Sequence, residues 1–181
     1  MAVFRKNPNN STRNVEEPDK ISDRISALLD CDKDDSKKGD DGGSIKGKKK
    51  KCKSLEGENQ SKDGPYHGGR HGTLRKGGLA AGRESHHMPA TAAYPKSSPK
   101  RHDQPAIQMD KLDHKDTISH GRGITARGYL RIQKYLINKD MMIVAMAMDI
   151  ADVKMKFGSK YDNAIAEMLL WSICMGYIKI K

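Results

Sequence analysis

Long apolar runs are missing from this sequence. The longest, Met141 to Met148, falls far short of the roughly 20 residues that cross a bilayer. The start, MAVFRKNPNN, lacks the apolar core of a signal peptide, so a soluble or peripheral protein is expected. Cysteine is scarce and odd in number. Cys31, Cys52 and Cys174 are widely spaced, which argues against a disulfide framework and a zinc site and predicts reduced thiols in an intracellular setting. Hydrophobic residues make up only 35% of the chain, below the roughly 45–50% of ordinary globular proteins, and this points to partial disorder. No catalytic signature is present. From Gly121 onward there is no histidine, and Asp140, Asp149, Asp152, Asp162 and Glu167 have the pattern of solvated carboxylates. Cys174 lies among apolar residues and reads as a packed thiol rather than a nucleophile. No enzyme, cofactor or small-molecule substrate is expected.

What the chain has is positive charge, +11 in total, and it predicts an anionic partner. An acidic block, Asp30 to Asp41, precedes a cluster of lysines: Lys46, Lys48, Lys49, Lys50, Lys51 and Lys53. These six are the candidate polyanion-binding residues. No aromatic side chain is interleaved, so binding of RNA, a nucleocapsid or an anionic membrane surface is expected to be electrostatic and indifferent to base sequence. The same run resembles a nuclear-localisation signal. Ser98, followed by proline and basic residues, is a candidate phosphorylation site.

Composition divides the chain. All seven prolines, all seven histidines and twelve of the seventeen glycines precede Gly121, while seven of ten methionines and the single tryptophan follow it. Residues 1–120 are therefore expected to be a mostly disordered basic arm with a short amphipathic helix near 18–30, where Ile21, Ile25, Leu28 and Leu29 share one stripe. Gly-Pro and Gly-Gly punctuation in residues 57–105 predicts neither helix nor strand there. His67, His71, His86 and His87 have no helix to hold them on one face and no cysteine nearby, so no metal site is expected. GGRHGTLRKGG imitates a phosphate loop only in composition. Residues 106–120, with Ile107, Met109, Leu112 and Ile118, form a transition of weak helical tendency.

Residues 121–181 are expected to form a compact α+β domain: a small C-terminal antiparallel sheet with one packed helix. Residues 126–137 fit helix or strand. Met142, Val144, Met146, Met148 and Ile150 alternate with period two and predict a strand, with a bulge near Ala151 and Asp152 before a second strand through Phe157. Lys160 to Met175 predicts a helix capped by Ser159 and packed by Ile165, Met168, Leu169 and Ile173, with Trp171 to one side. Gly176 stops it, and Tyr177 to Lys181 reads as a last strand. The small size and the methionine-rich face predict that the domain gains stability by self-association or by docking to a partner.

A lysine-bearing flexible arm followed by a small α+β end without catalytic groups resembles the layout of rhabdovirus matrix proteins, particularly those of plant cytorhabdoviruses. The resemblance implies a non-enzymatic viral structural protein that condenses ribonucleoprotein, with Lys46 to Lys53 as the nucleocapsid- or membrane-contacting cluster. It also implies location in the virion and host cytoplasm, at membranes, with nuclear entry through the lysine run. Proline-proline-x-tyrosine budding motifs are absent; YPKSSP and GPYH come near without fitting. The alternative is a nucleic-acid-binding regulator with a C-terminal winged-helix-like module. Against it, the helix from Lys160 is too apolar to read base edges, and no second wing strand follows Lys181.

Overall fold

The computed structural model describes residues 52–57, 65–76, 81–96 and 99–179, all within one compact unit that runs Gly39–Lys181. The expected helix near 18–30, the lysines up to Lys51 and Ser98 lie outside the described residues. The fold is α+β, with its elements in an order the sequence did not suggest. Strand β1 (Gly68–Arg70) leads into a single turn of helix, α1 (His71–Leu74). Strands β2 (Arg83–His87) and β3 (Pro105–Asp110) follow, and then helices α2 (Lys111–Asp116), α3 (Ile124–Asn138), α4 (Met142–Phe157) and α5 (Asp162–Cys174). The three strands form one antiparallel sheet of order β1-β3-β2, in register at Gly68↔Ile107 and His86↔Ile107.

The sheet therefore comes from residues 68–110, in the stretch expected to lack structure, and residues 121–179 supply helices to it. The glycines that argued against strands are what the strand needs. A Cβ on Gly68 would meet the backbone of α5, and one on Gly69 would meet the carbonyl of Glu56 at 2.3 Å. Glycine in a strand marks such close backbone approach. The central strand β3 is buried along most of its length, and its Ile107 and Met109 join Met146, Tyr161, Ala164 and Met168 in the main core. Burial of each large side chain there contributes about 1.5–3 kcal/mol.

The segment 142–157 is a helix, not two strands. Its buried residues, Ala145, Met146, Asp149, Asp152 and Val153, repeat at helical spacing. The change of alternating phase near Ala151 and Asp152 is the drift of a 3.6-residue period, and no bulge is involved. Methionine and alanine favour helix, and burial of Met146 and Val153 in the core with Ile107 and Met168 agrees with that preference. Segment 126–137, which fitted helix or strand, is also helix, with Ala126 and Gln133 buried and the apolar Ile132 and Tyr135 facing solvent. Helix α5 matches expectation to within two residues, and Gly176 follows it at φ +71°. Its cap differs: Tyr161 precedes the first turn without a side-chain capping bond. Trp171 is fully buried, not lateral, and residues 177–179 form no strand.

Cys52 and Cys174 are joined by a disulfide, which corrects the expectation of reduced thiols. The pair was not readable because 122 positions separate it and only the docking of α5 brings the ends together. Cys52 lies buried beside Trp171 and Met175. Closing so long a loop restricts the unfolded chain, and Cys52→Ser or Cys174→Ser is expected to cost about 2–4 kcal/mol. Urea unfolding with and without reductant checks this: reduced wild type and both variants should share a lowered midpoint, and an unchanged midpoint would show that the bond does not form.

Candidate functional site

Strand alternation sends Glu84 and His86 to one face of β2 and Ser85 and His87 to the other. Helix α2 crosses the first face and brings His114 onto it. The Glu84 carboxylate is hydrogen-bonded to Nδ1 of His114. The His114 ring lies edge-on to His86, with centroids 4.9 Å apart, and to His120, 5.1 Å away. Three imidazoles thus run in a line from solvent inward: His120 exposed, His114 half-buried, His86 buried. His86 Nε2 has no hydrogen-bond partner. Burial pushes the His86 ring well below the usual histidine range, and the neighbouring His114, His87 and His120 push the same way. The hydrogen bond from His114 holds Glu84 below the usual carboxylate range.

The supports of this line are polar and specific. Thr117 closes the end of α2 through its hydroxyl on the His114 carbonyl, 2.8 Å away. Ile118 N–H donates to Asp152 at 2.8 Å and holds the loop that carries His120 against α4. At the start of α2, Lys160 pairs with Asp110 at 2.6 Å and Asp113 at 2.8 Å, and the Tyr161 hydroxyl donates to Asp113 at 2.7 Å. Burial would lower the Lys160 ammonium, but the bonds to Asp110 and Asp113 outweigh it and its pKa is raised.

On the opposite face His71 Nδ1 sits 2.8 Å from the Ser85 hydroxyl and its ring stacks on His87 at 3.9 Å. Burial, with Arg75 and Arg101 nearby, lowers His71 to about 4. Burial and the adjacent His71 lower His87 to about 3. Both rings are neutral at pH 7. Among the described residues no group of three or more histidine, cysteine or acidic side chains is arranged to hold a metal ion.

The residues singled out by sequence are elsewhere. Lys46, Lys48, Lys49, Lys50 and Lys51 lie outside the described residues; Lys53 is exposed, in a single 3-10 turn beside the disulfide. The carboxylates read as solvated divide into two kinds. Asp140 and Asp162 are surface partners of Lys179 and Lys154. Asp149, Asp152 and Glu167 are buried, each held by hydrogen bonds, Glu167 to His67 and to the Gly68 amide. No motif in the sequence singles out Glu84, His114 or His120. Their one local signal, Glu84 and His86 two apart, is informative only once 83–87 is known to be a strand.

No protein-family model matches the chain, and no curated protein or solved structure is detectably similar to it. No helix among the described residues is long and apolar enough to cross a membrane.

Proposed function

We propose that the chain hydrolyses phosphodiesters of nucleic acid at the line of Glu84, His86, His114 and His120. The observation that carries this is His86, a buried neutral imidazole with an unpartnered Nε2, in ring contact with a second imidazole that a carboxylate orients. Buried nitrogens left without partners are rare, and perturbed titratable groups gather at working sites. With Glu84 accepting from Nδ1–H, the His114 Nε2 lone pair is free to take a proton. It removes one from the water that attacks phosphorus. His120, the exposed ring of the line, is the group placed to give a proton to the departing oxygen, so the two roles predict a bell-shaped pH profile. The choice of substrate rests on charge. The chain is +11, and Lys111 and Lys115 flank His114 on α2. A phosphodiester polymer is the anion such a field gathers.

The test is cleavage of labelled single- and double-stranded DNA and RNA by the full chain, with and without divalent cations. His114→Ala is expected to lower kcat by about 100-fold or more, as loss of a general base does. Glu84→Gln, which only orients, should cost less. Absence of cleavage by wild type under every condition would end this reading.

A second reading remains, that of a non-enzymatic, matrix-like assembly protein which binds ribonucleoprotein or anionic membrane and self-associates. The lysine cluster supports it, and so do the exposed apolar Ile143, Val144 and Met155 of α4. Salt-sensitive, sequence-indifferent binding without cleavage would favour it.

A further inference from the structure

We infer that the exposed face of α3 is a rail for the phosphate backbone of a nucleic-acid strand. Arg127, Arg131, Tyr135 and Lys139 follow one another at every fourth position, and Lys134 lies beside them at i+3 from Arg131. Residues that far apart are neighbours on a helix surface. Arg127, Arg131 and Lys134 are all exposed, and no described carboxylate pairs with them. Residues 117–139 contain no Asp or Glu, and five cations, Arg122, Arg127, Arg131, Lys134 and Lys139. Along the axis the three central cations are about 6 and 4.5 Å apart at 1.5 Å per residue.

The occupant follows from this pattern. A straight, repeating row of cations on a rigid helix matches a linear repeating anion. Tyr135 is 61% exposed in the middle of the row, with the Lys139 ammonium 5.9 Å from its ring centroid. An aromatic face between phosphate-binding cations is what takes a base by stacking, the feature that the lysine cluster lacks. A membrane fits less well. The inward side of α3 is already spent on α4, through Gln133 to Ala145 and Tyr129 to Asp149. The outward side offers only Ile124 and Ile132 as aliphatic anchors beside Tyr135.

The rail also has a place relative to the histidines. Three residues, Gly121, Arg122 and Gly123, separate His120 from Ile124 at the start of α3, at most about 14 Å of chain between the two. A strand held along the helix is carried toward the turn that bears His120, the exposed member of the histidine line. In this the inference rests on the proposed hydrolysis; binding by the rail does not.

The experiment measures anisotropy of labelled single-stranded DNA and RNA with the full chain over a salt series. Arg127→Ala/Arg131→Ala/Lys134→Ala is expected to weaken binding ten-fold or more and to reduce the log–log salt slope by about 2, for three contacts to a single strand. Tyr135→Ala should weaken binding about five-fold or more with the slope unchanged, because stacking releases no counterions. Should the triple variant melt early, Arg127→Ala and Arg131→Ala singly, each losing about 0.7 of slope, carry the test. Wild-type affinity and slope in these variants would overturn the rail, as would wild type that binds neither polymer. So would selective loss of binding to phosphatidylserine vesicles with nucleic-acid binding intact. Wild type that binds through α3 without cleaving would end the hydrolase reading and leave the rail standing; cleavage with an indifferent α3 would do the reverse.

Discussion

Gly68→Ala is expected to lower stability by at least about 4 kcal/mol, beyond the roughly 1–3 kcal/mol usual for overpacking. A Cβ at this position would lie 1.7 Å from the Ala164 carbonyl oxygen, 2.7 Å from its carbon and 2.9 Å from the Met168 nitrogen. All three are backbone atoms of α5, so no rotamer change relieves the contact. Either the strand or the helix must move. Moving the helix separates Met168 and Ile165 from the sheet and breaks the bond from the Gly68 amide to Glu167, 2.9 Å long. Gly128→Ala is the control. It sits on the exposed side of α3 with nothing within 4 Å of its Cβ, and should stabilise by up to about 1 kcal/mol through helix propensity. Thermal and urea unfolding of both variants measure the difference. Native-like stability of Gly68→Ala would mean that β1 and α5 do not pack as described.

Asp149 is expected to make the folded chain lose stability as pH rises through the weakly acidic range. It is 1% exposed between α3 and α4, where the Tyr129 hydroxyl donates at 2.9 Å and Gln133 Nε2 at 2.6 Å. Burial raises its pKa from 3.8 to about 7; the two hydrogen bonds oppose the rise and the nearby Asp152 adds to it. The unfolded chain releases this proton near about pH 4, whereas the folded chain keeps it to about 7. The favourable contribution is therefore whole below the lower value, shrinks between the two and is gone above the upper one. A difference of that size is on the order of 4 kcal/mol. Asp149→Asn stays neutral throughout. Its amide can still accept from Tyr129, and Gln133 can turn to offer Oε1, which has no partner in the native arrangement. Relative to Asp149→Asn, the wild-type urea midpoint should fall from pH 4.5 through 6 to 7.5, leaving the variant the more stable at the highest pH. Parallel pH curves would show that the carboxyl is not buried in the folded state.

Both effects depend on contacts that sequence reading approached from the wrong side. Gly-Gly at 68–69 has low strand propensity, and taken alone it argues for a loop. In the fold it is the place where two backbones meet a strand, so the missing side chain is a requirement. Asp149 sits one position from Met148 in an alternating run that suggests an exposed carboxylate on a strand. The same run as a helix turns Asp149 inward with Met146 and Val153. His67, His71, His86 and His87 were visible as a group, but they belong to different faces of the sheet. The partner that gives His86 a chemical setting is His114, on a helix 28 positions away.

Some properties were settled by the chain's local order alone. Apolar residues at helical spacing from Tyr161, with Gly176 after them, are enough for α5 and its end, because turn-to-turn contacts and a left-handed stop are local. The excess of positive charge is likewise a property of composition. Only the tertiary structure decided which residues are strands, which carboxylates are buried, that Cys52 joins Cys174, and that Glu84, His86, His114 and His120 share one face. Each of these is a relation between segments distant in sequence, from the 16 positions between Gln133 and Asp149 to the 122 between the cysteines. Such relations depend on how β3 and α5 pack, and no local period in the chain encodes that packing.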